Sequence, residues 1–144
     1  AAIGSVGATW CHGAAGIGLA RLGCLAVEDL PYLRHDIERA IVRTVADDAT
    51  TPSCLDNLCC GSFGGIELLL TAGLRREMPA LIAAARARAS TILRQRRATG
   101  AYRLLPSSVA GVYDPALYQG TAGIGYGLLR LCLPQMCPSL LLWE

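Results

Sequence analysis

The hydrophobic residues of the chain alternate between two kinds of helical pattern. Between residues 66 and 72 nearly every position is apolar, which is typical of a helix that is buried on all sides. From Pro31 onward, apolar residues recur with the 3.6-residue period of an amphipathic helix, at Leu33, Ile37, Ala40, Ile41 and Val45. No alternating run predicts a β-strand. The pattern therefore predicts an all-α protein in which each buried inner helix is followed by an amphipathic outer helix.

A second amphipathic segment, at about residues 79–98, repeats this logic. One of its faces is apolar and consists of Leu81, Ala85, Ala89 and Ile92. The opposite face is basic and consists of Arg86, Arg94 and Arg97. The spacing predicts that the first face packs on the inner layer and that the second meets solvent.

Three Gly-x-x-Gly motifs stand directly before apolar helix-forming sequence. The glycine pairs are Gly13/Gly16, Gly61/Gly64 and Gly120/Gly123. The first glycines of successive copies are 48 and 59 residues apart, about the length of two helices with their loops. We predict an α/α toroid with two concentric layers, of which the chain supplies about two and a half helical hairpins. Close backbone approach at one rim would explain the glycines.

Composition narrows the class of protein. The chain has 144 residues, of which 53% are hydrophobic and 17% charged, which favours one compact domain over disorder. A net charge of +2 does not favour nucleic-acid binding. No window is apolar for the 18 or so residues that a membrane span needs. The chain begins with Ala1 and shows no signal-peptide pattern, so we expect a cytoplasmic protein and a piece of a longer chain.

Seven cysteines cannot all pair in disulfides, which points to thiol or metal chemistry. If the repeats superpose, Cys11 and the adjacent pair Cys59 and Cys60 lie before neighbouring inner helices. Three thiolates leave one position of a tetrahedral zinc ion open, as in catalytic zinc sites. The alternative is that cysteines act as small apolar packing residues.

We favour metal binding for these three cysteines and packing for the remaining four, which are Cys24, Cys54, Cys132 and Cys137. His12 is an alternative ligand in place of one cysteine, although successive loop residues usually point apart. His35, in an amphipathic helix, is expected to be solvated. A redox function of the pair Cys59 and Cys60 is a third interpretation of the cysteine cluster.

Three segments, WCHGAAGIGL at residues 10–19, LCCG at 58–61 and YQGTAGIGYGLLRL at 118–131, resemble the C-terminal motifs of the lanthionine synthetase cyclases, the LanC-like family. The closing residues 133–144 resemble the end of the cyclase domain in bifunctional LanM-type class II synthetases. The resemblance covers essentially the whole chain. It implies that residues 1–144 are the C-terminal part of a LanC-like cyclase domain.

The resemblance also implies one zinc ion, held by Cys11, Cys59 and Cys60. A peptide cysteine would add to dehydroalanine or dehydrobutyrine to form a thioether ring. The family's acid/base histidine and aspartate lie upstream, so no catalytic residue is assigned within this chain and the chain alone is expected to be inactive. Histidine is commoner in the family where this chain has Cys60, and a subset of LanM-type enzymes shares the C-C-G motif.

The implied partners are a precursor peptide with its leader and a dehydratase domain in the same chain. An arginine often precedes the W-C motif in the family, and residues 3–9 contain none. The alternative function is a zinc-containing, peptide-binding scaffold without turnover.

Four smaller features leave alternatives open. Eight of the thirteen basic residues lie between Arg75 and Arg103, and we favour a solvated face over a leader or dehydratase contact. Glu67 either faces the lumen or is buried against an arginine. Asp56 and Asn57 are either turn residues or supports of the metal loop. Substrate contact by the residues before the third motif, Tyr113, Asp114, Tyr118 and Gln119, is unsupported.

Overall fold

The computed structural model describes residues 7–47, 55–105 and 114–143. Within these ranges the chain forms helices and turns and no strand, which confirms the all-α prediction. The helices are α1 (Ala14–Leu25), α2 (Pro31–Ala46), α3 (Ser62–Arg75), α4 (Pro79–Thr99) and α5 (Thr121–Cys132). Helices α1 and α2 form one hairpin and α3 and α4 the next, while α1, α3 and α5 pack in a row. No helix among the described residues has the length and apolar character needed to cross a bilayer.

Helix α3 is the centre of the hydrophobic core. Every residue from Phe63 to Gly73 is buried, because α1 and α5 flank the helix and α4 packs against it. The prediction of a helix that is buried on all sides is correct for α3. It is wrong for α1 and α5, where Ile17 is 48% exposed and Leu129 is 56% exposed. The difference arises because, among the described helices, only α3 has inner-row neighbours on both sides.

The outer helices bury the faces that the sequence predicts, with one exception. On α4 the buried residues are the four predicted ones, Leu81, Ala85, Ala89 and Ile92. On α2, Thr44 is fully buried and Val45 is 50% exposed, contrary to prediction. A helix turns about 100° per residue, so Thr44, eleven residues after Leu33, returns close to the buried stripe while Val45 moves off it. Arg88 of α4 then donates hydrogen bonds to the carbonyls of Thr44, Val45 and Asp47, which satisfies the C-terminal end of α2.

Each inner helix begins between the two glycines of its motif and not after them. The first glycine is the N-cap, and no side chain caps the helix. Instead, the first helical N–H donates to a carbonyl seven residues earlier in the chain. These bonds join Ala14 to Gly7 at 3.0 Å, Ser62 to Leu55 at 2.9 Å and Thr121 to Asp114 at 3.0 Å. The preceding loop therefore folds back over the start of its own helix.

The second glycine of each motif permits this return of the loop. A Cβ atom at Gly16 would lie 1.9 Å from the carbonyl oxygen of Trp10, and one at Gly123 would lie 1.8 Å from that of Leu117. At Gly64 the corresponding distance, to the oxygen of Leu58, is 2.7 Å. The expected close backbone approach at the rim is thus present in all three copies.

A buried polar cluster ties the C-terminal segment to the inner row. Oε1 of Glu67 accepts hydrogen bonds from Arg130 Nε at 2.8 Å, Thr71 Oγ1 at 3.0 Å and Ser139 Oγ at 2.6 Å. Arg130 also donates to the carbonyl of Cys137. Of the two alternatives for Glu67, burial against an arginine is therefore correct. The carboxylate charge is matched and hydrogen-bonded, as a buried charge requires.

The two glycines of α5 offer a matched test of this loop geometry. Gly123→Ala is expected to lower the free energy of unfolding by about 1–3 kcal/mol, because its Cβ meets the Leu117 carbonyl. At Gly125 an added Cβ atom would meet only open space. Gly125→Ala is therefore expected to raise the free energy of unfolding by up to about 1 kcal/mol through helix propensity. Urea denaturation followed by circular dichroism measures both. Equal effects of the two substitutions would contradict the proposed packing of the loop.

Candidate metal centre

Three cysteine thiols converge at the N-terminal ends of α1 and α3. Cys11 Sγ lies 3.3 Å from Cys60 Sγ, and Cys60 Sγ lies 3.4 Å from Cys59 Sγ. All three sulfur atoms lie within 4.8 Å of one another. Among the described residues, this is the one group of three or more potential metal ligands at such distances.

Main-chain hydrogen bonds link the three motif loops in series. The N–H of Cys11 donates to the carbonyl of Cys59 at 3.3 Å, and the N–H of Cys59 donates to that of Tyr118 at 2.9 Å. These residues occupy the same position relative to the first glycine of their motifs. The superposition of repeats that the sequence suggested is therefore real at the level of the backbone. It places Cys11 and Cys59 on neighbouring, equivalent loops.

An aromatic pair borders the cysteines. The rings of Trp10 and Tyr118 stack with centroids 5.6 Å apart and planes 8° apart. Tyr118 stands where the other two loops carry a cysteine, so the third loop contributes a carbonyl and an aromatic ring to this region and no thiol. Sequence reasoning left Tyr118 without a role. The alignment of Tyr118 with Cys11 and Cys59 was the signal that could have identified it.

The thiol group fits a metal cofactor. In a tetrahedral site with zinc–sulfur bonds of about 2.3 Å, the sulfur atoms are about 3.8 Å apart. The two short sulfur–sulfur contacts therefore need to open by only about half an ångström. Three soft sulfur donors suit zinc better than hard cations such as Mg²⁺ or Ca²⁺.

The three thiols do not ionise independently. Burial and contacts with the other two thiols raise the pKa of Cys59 to about 12. Burial, followed by the contact with Cys11, raises the pKa of Cys60. Burial also opposes ionisation of Cys11, but hydrogen bonds from Cys60, Cys59 and His12 outweigh it and lower the pKa of Cys11. Of the three thiols, Cys11 is thus the one that loses its proton most readily.

A family model described as "Lanthionine synthetase C-like protein" matches residues 3–142. The chain belongs to this family. No curated protein and no solved structure matches the chain. Membership in the LanC-like family suggests lanthionine cyclase activity on a peptide substrate.

The histidines of the LanC-like chain lie outside the thiol group. His12 is exposed, and its Nδ1 lies 2.9 Å from Cys11 Sγ. It does not share the mutual 4.8 Å spacing of the three thiols. The geometry therefore favours Cys59 and Cys60 over His12 as companions of Cys11. His35 is exposed on α2, as predicted.

The prediction that the remaining cysteines pack in the core is wrong for two of them. Cys24 and Cys132 are exposed, and Cys137 is half-buried. Both exposed cysteines lie at the C-terminal ends of α1 and α5, the helices that the core covers on fewer sides. Cys54 lies outside the described residues.

Asn57 closes the turn that carries the thiols, and Asp56 lies directly before it. Oδ1 of Asn57 accepts a hydrogen bond from the N–H of Cys60 at 2.8 Å. The carboxylate of Asp56 forms an ion pair with Arg103, whose Nη2 lies 2.7 Å from Oδ1. For Asn57 the two alternatives are therefore not exclusive, whereas Asp56 is bonded to Arg103.

Two cavities open on the thiol group from different sides. A groove of about 730 Å³ runs along α1 from Trp10 and Cys11 to Leu142. A smaller cavity of about 260 Å³ is bordered by Cys60, Ser62 and Arg88. The larger groove has the volume of a typical ligand site, and its walls are mainly apolar. A reactant can therefore approach the thiols from the side of Cys11.

The raised thiol pKa values predict a steep pH dependence of metal uptake. Cys59 and Cys60 hold their protons at neutral pH, so each bound ion must displace at least two. Between pH 6.5 and 8, the apparent affinity for Zn²⁺ is expected to rise roughly 100-fold or more per pH unit. Competition with a chelator whose own pH dependence is known measures this slope. An affinity that does not change with pH would contradict the predicted protonation of the two thiols.

Proposed function

We propose that the chain is the C-terminal part of a zinc-dependent lanthionine cyclase of the LanM type. The observation that carries the proposal is the convergence of Cys11, Cys59 and Cys60 from two neighbouring loops, with all sulfur atoms within 4.8 Å. Family membership over residues 3–142 supports the cyclase class. The C-C-G motif and the closing residues 133–144 support the LanM type.

In this proposal the three thiolates hold Zn²⁺ and leave one coordination position free. When bound, Zn²⁺ supplies the positive charge that stabilises a substrate thiolate at neutral pH. The reaction joins a cysteine sulfur of the peptide to the β-carbon of dehydroalanine or dehydrobutyrine. A proton is delivered to the α-carbon, so the product is an isomer of the starting peptide.

The groove beside Cys11 gives the substrate a place to bind. Its apolar wall, which includes Trp10, Ala20 and Leu141, can take up the side chains that flank a reacting cysteine. The proton-transferring histidine and aspartate are expected upstream of this chain. The present residues thus supply the metal site and part of the substrate surface.

The proposed partners are a precursor peptide with its leader and a dehydratase domain preceding the cyclase. Among the arginines between Arg75 and Arg103, several are occupied within the fold. Arg88 binds the end of α2, Arg76 pairs with Glu38, and Arg103 pairs with Asp56. The arginines of the predicted basic face, Arg86, Arg94 and Arg97, are exposed. Their exposure is compatible with the solvated face that we favour and leaves room for an acidic leader.

Cysteine variants test the metal site. We expect the unaltered chain to bind about one zinc ion and Cys11→Ser or Cys59→Ser to lose it, because two thiolates and a poorly coordinating hydroxyl bind the ion weakly. Cys24→Ser is the matched control, since Cys24 is exposed and outside the group. Elemental analysis after gel filtration gives the stoichiometry. Retention of zinc by both ligand variants would refute the assignment.

Ring formation is tested on the longer protein that includes the upstream region. A peptide with one dehydroalanine and one cysteine keeps its mass on cyclisation and loses its reactivity with a thiol-alkylating reagent. Loss of ring formation together with zinc in Cys11→Ser would support the cyclase. Stoichiometric zinc and peptide binding without ring formation in the unaltered protein would instead favour a non-catalytic scaffold.

The third thiolate predicts a rate effect. Three cysteine ligands place more negative charge on the site than two cysteines and a histidine, which makes a fourth, substrate sulfur more nucleophilic. Cys60→His is therefore expected to bind zinc and to form rings more slowly, by about tenfold or more if the barrier rises by about 1.4 kcal/mol. Single-turnover kinetics measure this. An undiminished rate would overturn the charge argument.

A further inference from the structure

The loop that carries Cys59 and Cys60 directs the side chains of two successive residues to the same side. Side chains of successive residues in extended backbone point to opposite sides. Nevertheless, the sulfur atoms of Cys59 and Cys60 lie 3.4 Å apart. The chain achieves this with a turn over residues 58–60. The Asn57 side chain closes the turn by accepting the hydrogen bond from the Cys60 N–H at 2.8 Å.

Asn57 is fully buried, and its immediate neighbour Asp56 is only 1% exposed. Water therefore cannot readily replace the Asn57–Cys60 hydrogen bond if the asparagine is lost. The carbonyls of Leu55 and Asp56 are occupied as well, because they accept bonds from the N–H groups of Ser62 and Phe63 at the start of α3. Residues 55–60 are thus held by hydrogen bonds within the loop and to the start of α3.

Arg103, which lies after α4, also bonds to this loop through Asp56. Its backbone N–H donates to Oδ2 of Asp56 at 2.7 Å. Its side-chain Nε and Nη2 donate to Oδ1 at 3.1 and 2.7 Å. In return, the N–H of Asp56 donates to the carbonyl of Arg103 at 2.8 Å. Arg103 follows α4, which ends at Thr99 and is followed by Gly100 with a left-handed backbone (φ 82°). The segment that follows α4 is therefore joined to the start of the thiol loop by four hydrogen bonds, three donated by Arg103 and one by Asp56.

The other two motif loops make different side-chain contacts. In the first, the Thr9 side chain hydrogen-bonds the Cys11 thiol, and in the third, Asp114 Oδ1 accepts a hydrogen bond from the Ala116 N–H at 2.8 Å. At the positions that correspond to Asp56 and Asn57, the first loop has Ala8 and Thr9 and the third has Pro115 and Ala116. The first loop contributes one thiol to the cluster and the third contributes none. The anchor formed by Asn57, Asp56 and Arg103 thus occurs in the loop that must present two sulfur atoms at once.

We propose that Asn57, Asp56 and Arg103 are positioning residues that set the separation of the Cys59 and Cys60 sulfur atoms before a metal binds. This inference rests on the proposed function, because it assigns the anchor to the metal site. A merely structural anchor would affect folding and leave the metal affinity of the folded protein unchanged. A positioning anchor changes the metal affinity of a protein that is still folded.

The test compares Asn57→Leu and Arg103→Met with Arg76→Met in the full chain. Arg76→Met is the control, because it makes the same substitution in a more exposed ion pair, with Glu38 at 3.3 Å, away from the thiols. We expect Asn57→Leu and Arg103→Met to bind Zn²⁺ about 10–100-fold more weakly, as supports of metal ligands generally do. The control is expected to stay within about threefold of the unaltered chain. Chelator competition measures affinity, and the thiolate-to-cobalt absorption of the Co²⁺ form reports the ligand geometry.

Arg103→Lys keeps the positive charge but loses the planar fork, so an intermediate affinity is expected. It decides the matter if Arg103→Met fails to fold, which circular dichroism would reveal. Affinities of all folded anchor variants within about threefold of the unaltered chain, with an unchanged Co²⁺ spectrum, would overturn the inference and leave the proposed function intact. Absence of metal uptake by the unaltered chain would instead contradict the proposed function itself.

Discussion

The return of each motif loop onto the first turn of its own helix is the constraint on which the rest of the structure depends. A helix start has N–H groups without intrahelical partners, and here main-chain carbonyls seven residues earlier satisfy the first of them. The N-cap positions are glycine in all three copies, because a Cβ atom there would lie 2.0–2.5 Å from main-chain atoms of the returning loop. Side chains just before the glycines are then free for other tasks. In two of the three loops, cysteines occupy these positions.

The thiol cluster contains groups that favour their protonated forms. Three sulfur atoms are held close together, and two of the thiols resist ionisation because of burial and their neighbours. A soft metal cation that replaced these protons would pair with the thiolates. The buried ion pair of Glu67 and Arg130 is a contrasting solution, because its charges are already matched by partners within the protein. The Glu67 pair is thus satisfied within the protein, whereas the thiol cluster has the donor set and the spacing to hold a metal ion.

Much of the architecture follows from local physical rules that the sequence displays. The buried face of α4 was predicted residue by residue, because period and polarity agree there. Thr44 of α2 was not predicted to be buried because threonine carries a polar hydroxyl, although the helical period places this position in the core. The exposure of Ile17 and Leu129 could not be predicted from the helices themselves, since it depends on which neighbours pack beside α1 and α5. The candidate ligands were identifiable by repeat alignment. The link from Asp56 to Arg103 was not, because it joins residues 47 positions apart without any shared motif.

The serial hydrogen bonds between the loops of Cys11, Cys59 and Tyr118 have a thermodynamic consequence. In repeat architectures, stability is approximately a sum of terms within each unit and terms between nearest neighbours. Here the interface between the first and second hairpins contains both a main-chain bond and sulfur atoms from each side. An ion bound there would strengthen the nearest-neighbour term without altering either unit. The two hairpins would then unfold as one cooperative block, with the metal concentration setting how strongly they are coupled.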